Sequence, residues 1–556
     1  MRVKLNGRAL LRCTIIFCLL LMIFVPCRAE RRERHIDGWR PVNYDVALVF
    51  DDKLMQLTSA RADITVLILK DSLSTIDLDF GELRVESVQV GDAAARFEQS
   101  EGKLNVQLAA PASKGQQLTV SVKYSGRPKD GLVFAADKSG KASVTGDNWP
   151  DRVHHWIPCL DHPSAKATVR FTVTAPAREL VVANGQLSAK RDNADDTRTW
   201  IYNEGVPIPP YCMVIAVGEF ALLEAQPQAL TPLFYYVPQT DRQFAPQGFA
   251  PAAQSVALFS QRVAPYPYEK LALIVGATKF GGMENSSAIV FPSTIFVRRN
   301  DVEQMSTRYN IRRGIVDVVS HEIAHQWFGD SVTEATWSDL WLSEGFATYF
   351  AGLFIEQSEG TEIFRRYMQE KARAYLEYEK ERSAPIFDPD TEDLNKLLNA
   401  NNYEKGAWVL HMLRSQLGDE KFFRGIHNYY TAHISKNATT EDLRAALEEA
   451  SGTSLRDFFQ RWVYQSGHPR YEASWWQSRG KVRELSISLI QRQADAAFPN
   501  LFPVEIKMKG GSTTRVIISP TGKETIKKIT LPRPVIDVRF DPDETILKEY
   551  VSPVSR

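Results

Sequence analysis

Hydrophobic residues are spaced in different ways along successive parts of this chain, and each spacing predicts a different kind of structure. From about residue 36 to 225, β-branched and aromatic residues alternate or cluster over strand-length runs: Val42–Phe50, Ala62–Leu69, Gln117–Tyr124 and Ala167–Thr174. Residues two apart share a sheet face, so these runs predict strands. Val206–Pro210 breaks the pattern, and a proline-containing stretch near 226–232 predicts a boundary. From about 247 to 466 the spacing becomes helical. Ile311–Ser320 and Asn402–Arg414 carry apolar residues three and four apart, and Trp337–Phe350 reads as a largely buried helix. Asn437–Leu443 reads as a helix start, with Thr439 or Thr440 as cap and Glu441 or Asp442 in the first turn. After Gly467–Pro469 strands return, in Leu485–Ile490 and Val504–Met508. The pattern predicts a multidomain α+β chain: an N-terminal β-sheet domain (30–225), a mainly helical domain (226–466) and a small C-terminal β-sandwich (467–556).

Composition adds little to that picture, except at the start. A chain of 556 residues is too long for one core. Its 44% hydrophobic and 24% charged content is ordinary for a globular protein. Equal numbers of basic and acidic residues, 67 of each, give no case for nucleic acid binding. Residues 1–29 read as a signal peptide: Arg2, Lys4, Arg8 and Arg12 precede the apolar run Cys13–Val25, and Ala29 suits the cleavage site. The apolar run is shorter than the ~20 residues a membrane span needs. The expectation is an exported protein, periplasmic or secreted, with no stable membrane insertion after leader cleavage; an uncleaved anchor is the alternative. Of five cysteines, Cys13, Cys18 and Cys27 fall in the leader. Cys159 and Cys212 remain, enough for at most one intrachain disulfide.

The chemistry is concentrated in His321-Glu322-Ile323-Ala324-His325, followed downstream by Glu344. Residues four apart on a helix lie about 40° apart around its axis, so both imidazoles face one point. That spacing suits a zinc ion gripped from one helix face. Glu344, on the second helix, supplies a plausible third ligand. Two histidines and one glutamate leave a coordination position open, as in catalytic rather than structural zinc sites. Glu322 lies off the ligand axis but beside the metal, where a carboxylate can act on water. The alternative is an ordinary amphipathic helix whose histidines pack or face solvent; the helical patterns on both sides favour a metal site, with one Zn2+ per chain.

Gly281-Gly282-Met283-Glu284-Asn285 lies about forty residues before this motif. By itself a glycine-rich loop with one acid reads as a turn. Together, Gly282–Asn285, His321–Gly329, Trp337–Ala347 and Tyr403-Glu404-Lys405-Gly406 resemble the aminopeptidase N and leukotriene-hydrolase family of gluzincin metallopeptidases. The resemblance implies a thermolysin-like catalytic domain and an exported zinc aminopeptidase acting on peptides with a free N-terminus. It also implies roles. His321, His325 and Glu344 would bind zinc, and Glu322 would be general base and acid. Glu284 would bind the substrate's α-ammonium, and Tyr403 would donate to the tetrahedral oxyanion. Gly281, Gly282, Met283 and Asn285 would complete the substrate-binding segment, the glycines letting the main chain run close beside the substrate.

Three features depart from the family pattern. The second amine contact, usually Gln or Glu nine residues before Pro158-Cys159-Leu160-Asp161, is here Trp149; Asn148, Asp151, His154 and His155 are polar neighbours. Asp330 replaces the Asn that commonly follows Phe-Gly. The chain stops after its second β module, so a short member without the C-terminal helical domain is expected. A thermolysin-type endopeptidase and a catalytically silent binding module are the competing readings.

Overall fold

The computed structural model describes residues 31–552 apart from 32, 35, 137–139, 226–230, 297–307, 479–483 and 521, with no side chains described for 308–313. The expected leader therefore lies outside the described residues. Alternation does become strand. Trp39–Phe50 turns Tyr44, Val46, Leu48 and Phe50 inward at regular spacing. It sits inside an eight-stranded sheet, antiparallel to Leu57–Ile68 and parallel to Ala167–Pro176. A three-stranded sheet that includes Leu73–Asp79 and a four-stranded sheet that includes Ala142–Asp147 complete the N-terminal domain. One apolar core joins their inner faces, with Tyr44, Val122, Trp156 and Phe171 wholly buried.

A second four-stranded sheet leads into the helical region, in the order Phe220–Glu224, Leu233–Pro238, Leu271–Gly276, Ala288–Pro292. Its first two strands pair across the stretch where the boundary was expected, part of which lies outside the described residues. The last two fall within the span read as mostly helical. Leu271–Gly276 is a short continuous apolar run buried on both faces, and such a run carries neither the period of two nor that of 3.6.

The longer helices are α1 (Pro251–Arg262), α2 (Arg308–His325), α3 (Trp341–Glu359), α4 (Thr361–Glu381), α5 (Gly406–Leu417), α6 (Asp419–His433), α7 (Thr440–Ser451) and α8 (Arg456–Trp462). α3 is buried on every side from Trp341 to Ile355, which makes it the central post of the region. α7 starts as its sequence requires: Thr439 caps it, and Asp442 returns the hydrogen bond in a capping box. Among the described residues no helix is long and apolar enough to cross a membrane.

The C-terminal strands form two small sheets, one built around Arg470–Gln477 and Glu484–Gln491, the other around Phe502–Met508. Their core residues Tyr471, Ile487, Phe502 and Ile506 are continuous with the core of the helical region. Cys159 and Cys212 are both buried and unbonded to each other.

Candidate active site

The last turn of α2 and the first turn of α3 meet at three side chains. His321 Nε2 and His325 Nε2 lie 3.0 Å apart, and Glu344 Oε2 lies 3.3 Å from the first and 3.4 Å from the second. Donors bound at 2.0–2.1 Å in a tetrahedral zinc shell stand about 3.3 Å from one another. The triangle therefore fits a zinc ion, with two nitrogens and one carboxylate oxygen as its donors. His325 is turned into the triangle by its other nitrogen, which donates to the Phe328 carbonyl at 3.1 Å and lies 3.0 Å from Ser343 Oγ. Gly329 makes that contact possible: at φ +125° a Cβ there would come within 2.4 Å of Ser343 Oγ. Burial works to raise the Glu344 carboxyl, but His325 and His321 outweigh it and hold the group below the usual carboxylate range. Burial lowers His321, favouring the neutral imidazole that a metal requires.

Glu322 and Tyr403 flank the triangle. Glu322 is buried, and its carboxyl is pushed well above the usual range by that burial. A Cβ on Gly282 would lie 2.4 Å from this carboxyl. Gly282 thus leaves room for Glu322, a use beside the close approach to substrate expected of it; Gly281 has open space where a side chain would be. Tyr403 comes from Asn401–Lys405, a single π-turn ahead of α5 in which the Lys405 N–H reaches back to the Ala400 carbonyl at 2.9 Å. Such turns re-aim side chains within a helix, and here the Tyr403 ring lies parallel to His321 at 5.8 Å. The turn can reach that far because α3 and α5 touch backbone to backbone: a Cβ on Gly345 would lie 2.9 Å from Gly406 Cα.

Glu284 faces the same cleft, which has a volume of about 280 Å³. Burial raises its carboxyl above the usual range, and among the described residues no lysine or arginine pairs with it. The main chain around it is fixed. Met283 and Val290 exchange hydrogen bonds of 2.8 and 2.9 Å, and Gln326 Nε2 donates to the Glu284 carbonyl at 2.6 Å. Gly281, Gly282 and Met283 line the cleft with Glu284, but Asn285 does not. Asn285 is buried below the loop, where its amide donates to the Met283 carbonyl at 3.3 Å.

Several residues without an assigned role are also placed here. Trp149, Phe280, Asp317, Lys371 and Leu398 line the cleft. Trp149 packs edge-on against Phe280 and Trp337, so an aromatic wall stands at the position of the absent Gln or Glu. Its polar neighbours are turned elsewhere. Asn148 accepts from Trp156 Nε1 at 2.9 Å, and His154 pairs with Asp161 at 2.9 Å. Asp151 and His155 do not reach the cleft lining. Asp330 accepts from Gln326 Nε2 at 2.8 Å and from the Cys212 thiol at 3.2 Å, tying the end of α2 to the N-terminal domain. Gln326 lay inside the motif, yet its partners are distant in sequence and no spacing rule points to them.

Two family models and several curated proteins match this chain. Residues 253–462 match the peptidase family M1 domain, and residues 40–212 match the peptidase M1 N-terminal domain. The chain is 26% identical over 524 residues to Aminopeptidase 2, mitochondrial, of Saccharomyces cerevisiae, covering 89% of this chain and 54% of that protein. It is 27% identical over 408 residues to Probable aminopeptidase 1 of Saccharolobus solfataricus, covering 71% and 50%. Aminopeptidase M1 of Arabidopsis thaliana is 30% identical over 347 residues, covering 62% and 38%. The chain thus spans about half the length of these relatives, or less. Two domain matches in the family's own order, over the residues that build the cleft, make this chain a member of peptidase family M1.

Proposed function

We propose that the protein is an exported zinc aminopeptidase that removes the N-terminal residue from peptides. The observation that carries this reading is Glu284: a buried carboxylate that no lysine or arginine among the described residues pairs with, in the same cleft as the His321, His325 and Glu344 triangle. A peptide's free ammonium would supply the missing charge. An internal peptide segment would leave the acid buried and unpaired, which disfavours it strongly.

Zinc held by the three side chains would supply Lewis acidity toward the scissile carbonyl and the attacking water. Glu322 takes the proton from that water and returns one to the departing nitrogen. Tyr403 donates its phenolic hydrogen to the oxyanion as it forms. Glu284 holds the ammonium, and so fixes the first residue's carbonyl at the cleft centre. Export rests on the leader reading of residues 1–29.

The test uses amino-acid anilides with residues 30–556, with and without a chelator. Chelator-sensitive release from free-amine anilides, absent from their N-acetylated partners, is expected. Equal release from both would transfer the protein to the endopeptidase reading. Glu284→Ala should cut turnover of free-amine substrates by about a hundredfold or more while zinc content stays unchanged.

A further inference from the structure

The loop that carries Glu284 is gripped from two sides, and one grip comes from the N-terminal domain. Asn184 is wholly buried, braced within its own domain by two amide hydrogen bonds and reaching the loop with a third. Its Oδ1 accepts from the Val214 N–H at 2.6 Å, while its Nδ2 donates to the Cys212 carbonyl at 2.8 Å and the Ser286 carbonyl at 2.6 Å. Next to it, the Gly185 N–H donates to Ser287 Oγ at 2.7 Å, and that hydroxyl donates to Glu204 Oε2 at 3.0 Å. Ser287 sits at φ +61°, a left-handed conformation that costs a serine energy. It is held there at every polar atom. Its N–H donates to Gln326 Oε1 at 2.8 Å, and its carbonyl accepts from Lys270 Nζ at 2.8 Å and the Ala272 N–H at 2.9 Å. Gln326 follows the ligand His325 directly, so this is the catalytic region's grip on the same loop.

We infer that Asn184, with Ser287 and Glu204, positions the Glu284 loop, so that the N-terminal β domain is part of the amine-recognition machinery. This rests on the aminopeptidase reading above. A substrate fixes the distance between its ammonium and its scissile carbonyl. Glu284 must therefore be held at one place relative to the His321, His325 and Glu344 triangle. From the catalytic region, Gln326 pins the Glu284 carbonyl and the Ser287 N–H, and Lys270 and Ala272 hold the Ser287 carbonyl; the Asn184 bracket adds the Ser286 carbonyl and the Ser287 hydroxyl.

The test compares two inhibitors, an amino-acid hydroxamate and the same acyl hydroxamate without the amine. The ratio of their inhibition constants reports the amine anchor, and the des-amino constant reports the metal centre. In the wild type the ratio should be on the order of a hundredfold or more. Asn184→Ala should lower it by about tenfold, with KM raised on free-amine anilides and the des-amino constant and zinc content unchanged. Asn184→Asp should do the same, since it sets an acceptor against two carbonyls. Ser287→Ala removes a single hydroxyl and gives the same reading should either Asn184 variant fail to fold. Val122→Ala, a cavity in the N-terminal core away from the bracket, should lower stability and leave the ratio alone.

A ratio unchanged in Asn184→Ala and Ser287→Ala, with Glu284→Ala collapsing it, overturns the inference and leaves the aminopeptidase reading intact. Equal weakening of both inhibitors also overturns it, because the bracket would then serve the whole cleft. Equal binding of the two inhibitors by the wild type removes the amine anchor itself, and this inference with it.

Discussion

His321, His325 and Glu344 come from two helix turns packed directly on each other, and the residues that aim His325, Phe328, Gly329 and Ser343, lie within the same short stretch of chain. Glu284 sits in the same cleft on a loop whose supports are Asn184, Gly185, Glu204, Lys270 and Gln326, spread over two domains. The proposed metal half of the site is thus local, and the proposed amine half is assembled from afar. The contrast teaches which properties can fail separately. Damage within α2 and α3 should strike metal binding and chemistry. Damage to the domain contact should strike recognition of the free amine.

The largest expected effect removes chemistry while leaving both halves standing. Glu322→Gln keeps the shape of the side chain but cannot take a proton, so kcat should fall by about a thousandfold or more. Zinc content and both hydroxamate constants should stay close to wild type. Retained turnover would take Glu322 out of its role; lost zinc would mean that it also supports the metal half.

A smaller effect should follow from pushing apart the helices of the metal half. Gly345→Ala sets a methyl group 2.9 Å from Gly406 Cα, where backbone faces backbone and no side chain can yield. Overpacking of this kind costs about 1–3 kcal/mol. The π-turn that bears Tyr403 lies directly behind Gly406, so kcat should fall by about ten- to a hundredfold. The ratio between amino and des-amino hydroxamates should not move, because no support of Glu284 is touched. A shift in that ratio would show that the two halves are mechanically joined and would break the comparison.

The same contrast explains what could be read from the chain beforehand. His321 and His325 obey a spacing rule on one helix, and Glu344 follows at a distance that two adjacent helices impose, so the meeting of these three side chains is visible in the sequence. The alternating strands of the N-terminal domain and the Thr439 cap are local signals too. Leu271–Gly276 and Ala288–Pro292 are strands inside a span whose sequence reads as helical, because fully buried parallel strands show no alternation. The π-turn at Tyr403 could not be seen, since one extra residue in a helical turn leaves the apolar spacing of Asn402–Arg414 nearly intact. Asn184 and Ser287 are an asparagine and a serine among many; only the fold brings them within a hydrogen bond of one loop.

The smallest expected effect on activity concerns a domain contact on the metal side. Lys166, in the N-terminal domain, is buried and donates to the Asp330 and Ser331 carbonyls at 2.8 and 2.7 Å, in the turn just after α2. Burial pushes its ammonium down from 10.5 to about 7, against the pull of Asp330. The folded protein therefore gives up this proton near pH 7, whereas the unfolded chain keeps it until about 10.5. Between those values the unfolded state binds more protons, so this group makes stability rise with pH across that window. Lys166→Met removes the titration and fills the same space. Urea midpoints measured at about pH 7 and about pH 9, with zinc saturating, should differ less in the variant than in the wild type, and the gain should be largest at the lower pH. Because Phe328 and Ser343, both within the catalytic region, already aim His325, kcat should change by less than about threefold. An unchanged pH slope would mean that Lys166 stays charged in its carbonyl cage. A large loss of kcat would mean that the metal half also leans on the N-terminal domain, and the division between a local and an assembled half would no longer hold.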